Sequence, residues 1–479
     1  MKSVAIIGAG ISGLTAAFCL KRKDVPVTVY EAGNHVGGVI QSVRKGGYLA
    51  ECGPNTILET SPQIAQLVCD AGLESRRLYS DPKADARYIV RYRRPIAMPG
   101  SPLGFLTTRL FTTKAKLAVL REPFVPRRSD RKEESVAEFV ERRLNREFLD
   151  QAIDALVAGV YAGDPHKLSL PQAFPRLAEL EARYGSLIRG QIFGARERRR
   201  RGEVAKDRAP KFSFDEGLQV LPDTLAAQLG EAMKFNASVT KLTRNENNWR
   251  LTTANGEAEF GAVIYCGTAY RLAEMKVEVR AGSPLPAEFA GGTSVGAHGV
   301  TRPANEIDLS AFAEIRYPPV ASVVLGFRRE DVTHPCEGFG MLIPKVEGFK
   351  MLGTIFSSSL FPNRAPVGHL TLTSYLGGER QPELASLPAE KLIQLTCEDL
   401  RVLLGVRGQP TFTHCVVYPR AIPQYNLGFG HYRERLAEIE NRAPELFFAG
   451  HYRDGVSLGD SILSGCNVAG RVGKFLATK

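Results

Sequence analysis

The 479-residue chain has one tryptophan, and its eight cysteines contain no Cys-x-x-Cys pair. Those cysteines are scattered, several of them (Cys19, Cys266) in apolar surroundings, so reduced thiols are expected rather than disulfides or a metal centre. The eight histidines show no ligand spacing either, and no metal site is predicted. No run of about 18 uncharged apolar residues occurs, which excludes a predicted membrane-spanning helix. Met1-Lys2-Ser3 runs directly into a core strand, so no signal or transit peptide is expected. A cytoplasmic location follows, with peripheral attachment to the inner face of a membrane as the variant. Helix-turn-helix, RNP and zinc patterns are absent, so the net charge of +11 predicts no nucleic-acid partner. An anionic membrane surface or a polycarboxylate substrate accounts for it better. A hydrophobic share of 44% and a charged share of 24% belong to a globular protein of more than one domain.

What is present is concentrated at the start. Val4-Ala5-Ile6-Ile7 suits a buried parallel strand. It leads into Gly8-Ala9-Gly10-Ile11-Ser12-Gly13 and an apolar-periodic helix from Leu14 to Leu20. A second strand, Val27-Thr28-Val29-Tyr30, ends on Glu31, eighteen residues beyond Gly13. Each residue has a physical task in a dinucleotide-binding βαβ unit. Gly8 permits the tight turn, Gly10 admits a pyrophosphate to the backbone, and Gly13 lets helix and strand pack closely. The helix N-terminus offers free N–H groups to phosphate, and Glu31 can accept from a ribose diol. With 46 glycines a lone GxGxxG could be an ordinary turn, but here strand, glycines, helix, second strand and acid agree. Gly37-Gly38 follows the acid, as suits backbone passing close to a cofactor.

Further along, Ser61-Pro62 opens a helix that Gly72 stops. From Pro95 to Arg201 helical segments alternate with basic clusters: Arg109 with Lys114 and Lys116, then Arg127-Arg128, then Arg142-Arg143. Ser135-Val136-Ala137-Glu138 is a capping box. This region reads as a helical insertion, either packed plainly on the sheet or facing a membrane. The charge run Arg196 to Gly202 reads as an exposed loop. Ser238 to Leu242 and Trp249 to Thr252 alternate like antiparallel strands, with Asn255-Gly256 as a hairpin turn. Phe260 to Tyr265 and Leu446 to Gly450 are buried strands. Ala321 to Phe327 and His369 to Tyr375 are strands of a second α+β unit, with a long helix near Lys391 to Leu404. A small-residue helix from Ser464 to Phe475 returns to the first unit.

The glycine loop, Gly37-Gly38 and Gly53-Pro54-Asn55-Thr56 together resemble the amine oxidase type of flavoprotein, which implies FAD rather than NAD. Other segments narrow the likeness: Ala158 to Pro165 with Lys167-Leu168-Ser169, Gly217-Leu218-Gln219 before Leu221-Pro222, Tyr317 to Ser322 and Gly338 to Pro344. Leu352 to Ser358, Phe361 to Pro366, Ala421 to Tyr425 and Gly455 to Gly459 continue it. With these the chain resembles the oxygen-dependent protoporphyrinogen oxidases over nearly its whole length, most closely the plant-type branch.

The resemblance implies an α/β plus α+β chain: a discontinuous Rossmann-like FAD-binding domain, a mixed-sheet substrate domain and a helical membrane-facing insertion. The FAD-binding domain is expected at 1–84, 218–280 and 434–479, the substrate domain at 85–95, 202–217 and 281–433, and the insertion at 96–201. FAD contacts carry over to Gly8, Ala9, Gly10, Ile11, Ser12, Gly13, Glu31, Ala32, Gly38, Val39, Gly53, Pro54, Asn55 and Thr56. Val239 is the implied adenine-side contact, and Val456, Ser457 and Leu458 the loop under the flavin. Arg87 matches a propionate-binding arginine, whose guanidinium fork suits a carboxylate. Taken alone, Arg87 reads as a surface charge beside a strand. Leu342, Ile355 and Tyr375 match positions that sandwich the macrocycle, though by themselves they read as core. Gly159 to Gly163 matches a loop that offers carbonyls to pyrrole N–H groups. Asn55 is the candidate orienting residue.

The implied reaction is hydride abstraction from protoporphyrinogen by the flavin, proton loss from pyrrole nitrogens, and reoxidation by molecular oxygen to hydrogen peroxide, three times over. Family members are often dimers, so a homodimer is an implied partner. Two departures stand out: Glu216 replaces a family glycine before Gly217, and Gly450-His451-Tyr452 stands where Gly-Asn-Tyr is usual. Rival readings are a coproporphyrinogen III oxidase, which needs more basic groups in its pocket, a general amine oxidase, whose aromatic cage is missing, and a tetrapyrrole carrier with structural FAD.

Overall fold

A parallel five-stranded sheet carries the glycine loop of residues 8–13. The computed structural model describes residues 3–128, 132–201, 209–245, 248–279 and 306–478. The expected substrate-domain stretches 202–208 and 281–305, and the last residue of the expected FAD-binding stretch 218–280, lie outside the described residues. The parallel strands run in the order Met233–Lys234, Val27–Tyr30, Val4–Ile7, Ala262–Tyr265 and Leu446–Phe448. Their period of two sorts the side chains. Val4, Ile6, Ala262 and Ile264 face the helix Ile11–Lys21 and the C-terminal helix Leu458–Ala477. Ala5, Ile7, Val263 and Tyr265 face a core shared with Leu242, Trp249 and Phe260 of a four-stranded sheet. In that sheet Thr253 pairs with Gly256, so the two-residue turn is Ala254-Asn255, one position before the expected one.

The second large sheet has seven strands, ordered Phe412–Tyr418, Val320–Arg328, His369–Gly377, Met351–Ile355, Gly340–Leu342, Arg87–Arg91 and Arg94–Ala97. All its pairs are antiparallel except Gly340–Leu342 with Arg87–Arg91. One face, with Val90, Ala321, Val323, Leu325, Met341 and Leu372, is covered by Leu392, Leu400 and Leu403 of the helix Ala389–Leu404. On the other face Val324 packs against Tyr48 and Ala50, and Val320 and Leu352 pack against Ala158 of the helix Asp154–Tyr161 and Ala162 at its end. The strand Lys211–Phe214 joins neither large sheet: it pairs with Ile57–Leu58 and Arg77–Tyr79, and Phe212 and Phe214 pack into the helix-side core.

Helices occupy Pro102–Thr107, Thr113–Arg121, Val136–Arg143 with the capping box at Ser135, Asp154–Tyr161, Pro175–Tyr184 and Leu187–Arg201. The last of these corrects the expected loop at the charge run. Arginine is among the better helix formers, so four in a row extend a helix already under way. Its N-terminus is fastened to Glu122, which accepts from Ser186 Oγ (2.5 Å) and the amides of Leu187 (2.8 Å) and Ile188 (3.2 Å). Glu122 pairs in turn with Arg143 at 3.0 Å, both side chains fully buried.

Candidate active site

The glycine loop has the shape of a cradle. Gly8 adopts φ +102°, and a Cβ there would meet the Cys266 carbonyl carbon at 3.2 Å. A Cβ on Gly13 would lie 2.0 Å from Gly8 O, so helix and strand approach as closely as glycine allows. At Gly10 a Cβ would meet nothing within 4 Å: the backbone there faces open space at the start of a helix. Ala9 O accepts from Gly37 N (2.9 Å), which carries the chain to exposed Gly38 and Val39 beside the cradle. Ser12 Oγ donates to Ser461 O (2.8 Å) and ties the first helix to the last, with Ile11 buried at the joint. The Glu31 carboxylate accepts from Ala9 N and Gly33 N, both at 2.8 Å, which leaves each oxygen a lone pair for a ribose hydroxyl. Ala32 is exposed beside it, and Glu31 O accepts from Ala237 N (2.8 Å), two residues ahead of half-buried Val239.

The segment Gly53-Pro54-Asn55-Thr56 crosses from this cradle to the seven-stranded sheet. A Cβ on Gly53 would sit 2.3 Å from Val39 O, so the two backbones run in contact. Asn55 Nδ2 donates to Gly53 O (3.3 Å) and to Tyr375 Oη (2.7 Å), and Tyr375 Oη donates to Gly53 O (2.9 Å). Tyr375, read from sequence as a macrocycle contact, thus also fastens the implied flavin loop. Asn55 is 7% exposed and its amide is engaged in that fastening, with Ser357 Oγ on its carbonyl at 3.4 Å.

Register places Arg87, Leu342, Ile355 and Tyr375 on one sheet face. Arg87 lies beside Gly340, Gly340 beside Ile355 and Ile355 beside Thr373, while Leu342 lies beside Gly353 and Gly353 beside Tyr375. All four are half-buried, on the face opposite the helix Ala389–Leu404, where Tyr375 packs beside Ala158 and Ala162 and Ile355 beside Leu360 and Phe361. The Arg87 guanidinium stands 5.9 Å from the Phe339 ring.

The helix Asp154–Tyr161 packs over this face at Leu342. A Cβ on Gly159 would meet Leu342 Cδ2 at 2.5 Å. The expected loop at Gly159 to Gly163 is instead the last turn of that helix, which stops because Ala162 turns left-handed at φ +49°. Gln424 holds the Tyr161 carbonyl (2.8 Å) and Glu379 N the Ala162 carbonyl (2.7 Å), which leaves Gly159 O and Val160 O to serve as acceptors. Gly163 is buried, with the site of its missing Cβ 2.5 Å from Gln424 Oε1.

Val456 and Ser457 form a turn, and Leu458 begins a 20-residue helix rather than continuing a loop. Ser457 and Asp460 build a capping box at its N-terminus. His451 packs edge-on against Tyr317 (5.8 Å) and Tyr452 (6.4 Å), and desolvation there pushes its imidazole down to about 4. The Glu216 departure is harmless, because Glu216 is exposed and pairs with Arg76 (2.7 Å) while Gly217 alone carries the φ of +93°.

Sequence reading missed the buried pair of Glu51 and Arg364. Arg364 Nη2 donates to Ser213 Oγ (2.7 Å) and lies 3.5 Å from Glu51 Oε1. Glu51 accepts from Leu218 N (2.9 Å) and Ser42 Oγ (2.6 Å). Desolvation pushes the Glu51 carboxyl up, against the pull of Arg364, Ser42 and the Leu218 amide. Arg364 lies in the family-like segment Phe361 to Pro366, and Glu51 holds the Leu218 amide of another, but no local pattern pairs the two.

The family model for flavin containing amine oxidoreductases matches residues 11–473. Protoporphyrinogen oxidase 2, chloroplastic/mitochondrial, of Arabidopsis thaliana is 35% identical over 99% of this chain and 94% of its own. Coproporphyrinogen III oxidase of Bacillus subtilis is 29% identical over 97% of this chain and 96% of its own. Among solved structures, a putative protoporphyrinogen oxidase from Exiguobacterium sp. 255-15 matches with a TM-score of 0.78 at 20% identity, covering 98% of both chains.

Proposed function

The chain belongs to the flavin-containing amine oxidoreductase family, and from that premise we propose that it oxidises protoporphyrinogen IX to protoporphyrin IX. Molecular oxygen is the electron acceptor and hydrogen peroxide the by-product, within haem or tetrapyrrole synthesis. FAD is the cofactor, and the residues present fit it: Gly10 opens on empty space, Gly53 and Val39 run in contact, and Glu31 keeps lone pairs for a ribose. We assign the parallel sheet to FAD and the seven-stranded sheet to substrate.

The observation that carries the proposal is the shared sheet face of Arg87, Leu342, Ile355 and Tyr375, joined to the Gly53–Thr56 segment through the Tyr375 hydroxyl. An apolar floor with a guanidinium at one side suits an apolar macrocycle that carries carboxylates along one edge. FAD, when bound, supplies the two-electron oxidation. The chain supplies position: Arg87 anchors a propionate, Leu342 and Ile355 hold the ring, and Gly159 O and Val160 O accept from pyrrole N–H groups. Asn55 and Tyr375 keep the Gly53–Thr56 segment against the substrate face, and the turn at Val456 and Ser457 would hold the flavin side of FAD.

Coproporphyrinogen is the second reading, because a bacterial coproporphyrinogen III oxidase is among the relatives. Around Leu342, Ile355 and Tyr375 this face presents one guanidinium among the described residues, Arg87, where a tetracarboxylate calls for several; Arg91, on the same face of the same strand, is engaged with Leu110 O and Glu147, and Arg328 stands in an outer row beside His369. Steady-state oxidation of both porphyrinogens separates the readings, and a higher kcat/KM for coproporphyrinogen overturns the first. Arg87→Ala is expected to lower kcat/KM by about 1.5–3 kcal/mol, the worth of a charged hydrogen bond, chiefly through KM.

We also propose that the helical region meets an anionic membrane. Leu103, Leu106, Leu117, Leu120 and Phe124 are exposed, Phe124 by 81%, beside Arg109, Lys114 and Arg121. No helix among the described residues is long and apolar enough to cross one. Flotation with anionic liposomes tests this: Leu120→Glu with Phe124→Glu should abolish co-flotation, and a wild type that does not float overturns it.

A further inference from the structure

Two turns far apart in the chain flank the candidate site, and one dipeptide fastens both. Gln424 Nε2 donates to Tyr161 O (2.8 Å) and Ile422 O (3.1 Å), which holds the turn that ends at Gly163. Those two carbonyls fix the orientation of the amide, so its Oε1 lies against Gly163, buried and with no hydrogen-bond partner among the described residues. The next residue, Tyr425, reaches the other way. Its hydroxyl donates to His451 O and accepts from Gly455 N (3.0 Å), spanning both ends of the turn that leads into Val456 and Ser457. The tyrosine ring is itself fixed, tilted against Phe429 at 4.2 Å with Arg433 at 5.1 Å. The dipeptide backbone is anchored at both ends, Gln424 N to Arg316 O (2.9 Å) and Ser169 N to Tyr425 O (2.8 Å). Burial pushes the Tyr425 hydroxyl up, so it keeps the proton it donates.

We propose that Gln424 and Tyr425 are positioning residues, Tyr425 for the flavin-side turn and Gln424 for the substrate-side turn, which sets the register of the two. The Gln424 half rests on the proposed porphyrinogen oxidation, whereas the Tyr425 half rests only on FAD binding. Neither side chain touches a reacting atom; each acts through backbone it holds.

The test uses the full chain as Tyr425→Phe and as Gln424→Met, which keep the ring and the approximate side-chain volume. Tyr425→Phe should weaken FAD binding roughly tenfold, as expected for lost buried hydrogen bonds. It should also alter the visible spectrum of the bound flavin and speed amide exchange at Gly455 in the apoprotein. Gln424→Met should leave FAD affinity and spectrum unchanged and raise KM for protoporphyrinogen about threefold to tenfold. Wild-type values for FAD affinity, spectrum and Gly455 exchange in Tyr425→Phe overturn the proposal, as does an equal shift of every parameter in both variants. Should Tyr425→Phe not fold, exchange in the wild-type apoprotein decides: Gly455 must be protected like the core-strand amides of Ala262–Tyr265, and fast exchange overturns the assignment. A wild type that binds FAD but oxidises no porphyrinogen overturns the activity and the Gln424 role together, and leaves Tyr425 to its own measurements.

Discussion

Removing one oxygen from Tyr375 separates two roles that the same residue can play. As a plain wall of the substrate cleft, Tyr375 needs its ring, and Tyr375→Phe keeps that. As the fastener of the Gly53–Thr56 segment it needs its hydroxyl, which donates to Gly53 O at 2.9 Å and accepts from Asn55 Nδ2 at 2.7 Å. Burial pushes that hydroxyl up, so it stays protonated and able to donate. The variant deletes both bonds and leaves Gly53 O and one Asn55 N–H short of a partner. Two neutral hydrogen bonds are worth about 2 kcal/mol, and an unsatisfied buried group adds about 1–3 kcal/mol. The Asn55–Gly53 contact at 3.3 Å can tighten and recover part of this. With about 1 kcal/mol recovered, a net loss of about 2–4 kcal/mol remains, which corresponds to a roughly 30-fold to 1,000-fold weaker FAD complex if the segment is ordered mainly when FAD is bound. Fluorescence titration of the apoprotein with FAD reads that number, and steady-state kinetics at saturating FAD reads KM. Unchanged FAD affinity together with a raised KM for protoporphyrinogen would refute the reasoning and return the hydroxyl to the substrate.

Gly10→Ala should fold as well as the wild type, since φ −69° suits alanine and nothing lies near its Cβ, yet lose FAD affinity; Gly13→Ala should lose about 1–3 kcal/mol of stability in urea unfolding because its methyl meets Gly8 O. Equal FAD affinity for wild type and Gly10→Ala would place the pyrophosphate elsewhere. Glu122→Gln should cost about 3 kcal/mol by the same unfolding assay, for it strands part of a fully buried charge pair that also caps a helix. The His451 imidazole is pushed down from 6.5 to about 4, so the unfolded chain binds the extra proton first. Its contribution to stability is complete above pH ~6.5 and is lost as pH falls towards ~4. His451→Asn should therefore flatten the fall in stability between pH 7 and pH 5, and an unaltered slope would remove His451 from the account.

The glycine cradle was legible because its information is local. Strand period, glycine spacing, helix onset and terminal acid all fall between Val4 and Glu31, and the structure places them as read. Helix caps at Ser61 and Ser135 were legible for the same reason. Pairings across hundreds of residues were not. Nothing in the neighbourhood of Asn55 announces Tyr375, 320 positions away, and nothing near Glu51 announces Arg364 at 313. The helix Leu187–Arg201 departs from its reading for a different reason: a charge run suggests a loop by composition, whereas arginine's backbone preference favours helix. At Gly163 the glycine was legible but its neighbour was not, because Gln424 comes from a distant loop.

Anaerobic mixing of the FAD-loaded protein with protoporphyrinogen IX decides the proposed activity. Stopped-flow absorbance should show the flavin band bleach in step with the rise of the porphyrin spectrum, and admitting oxygen should restore the band and yield hydrogen peroxide. A flavin that stays oxidised in the presence of excess protoporphyrinogen would contradict it.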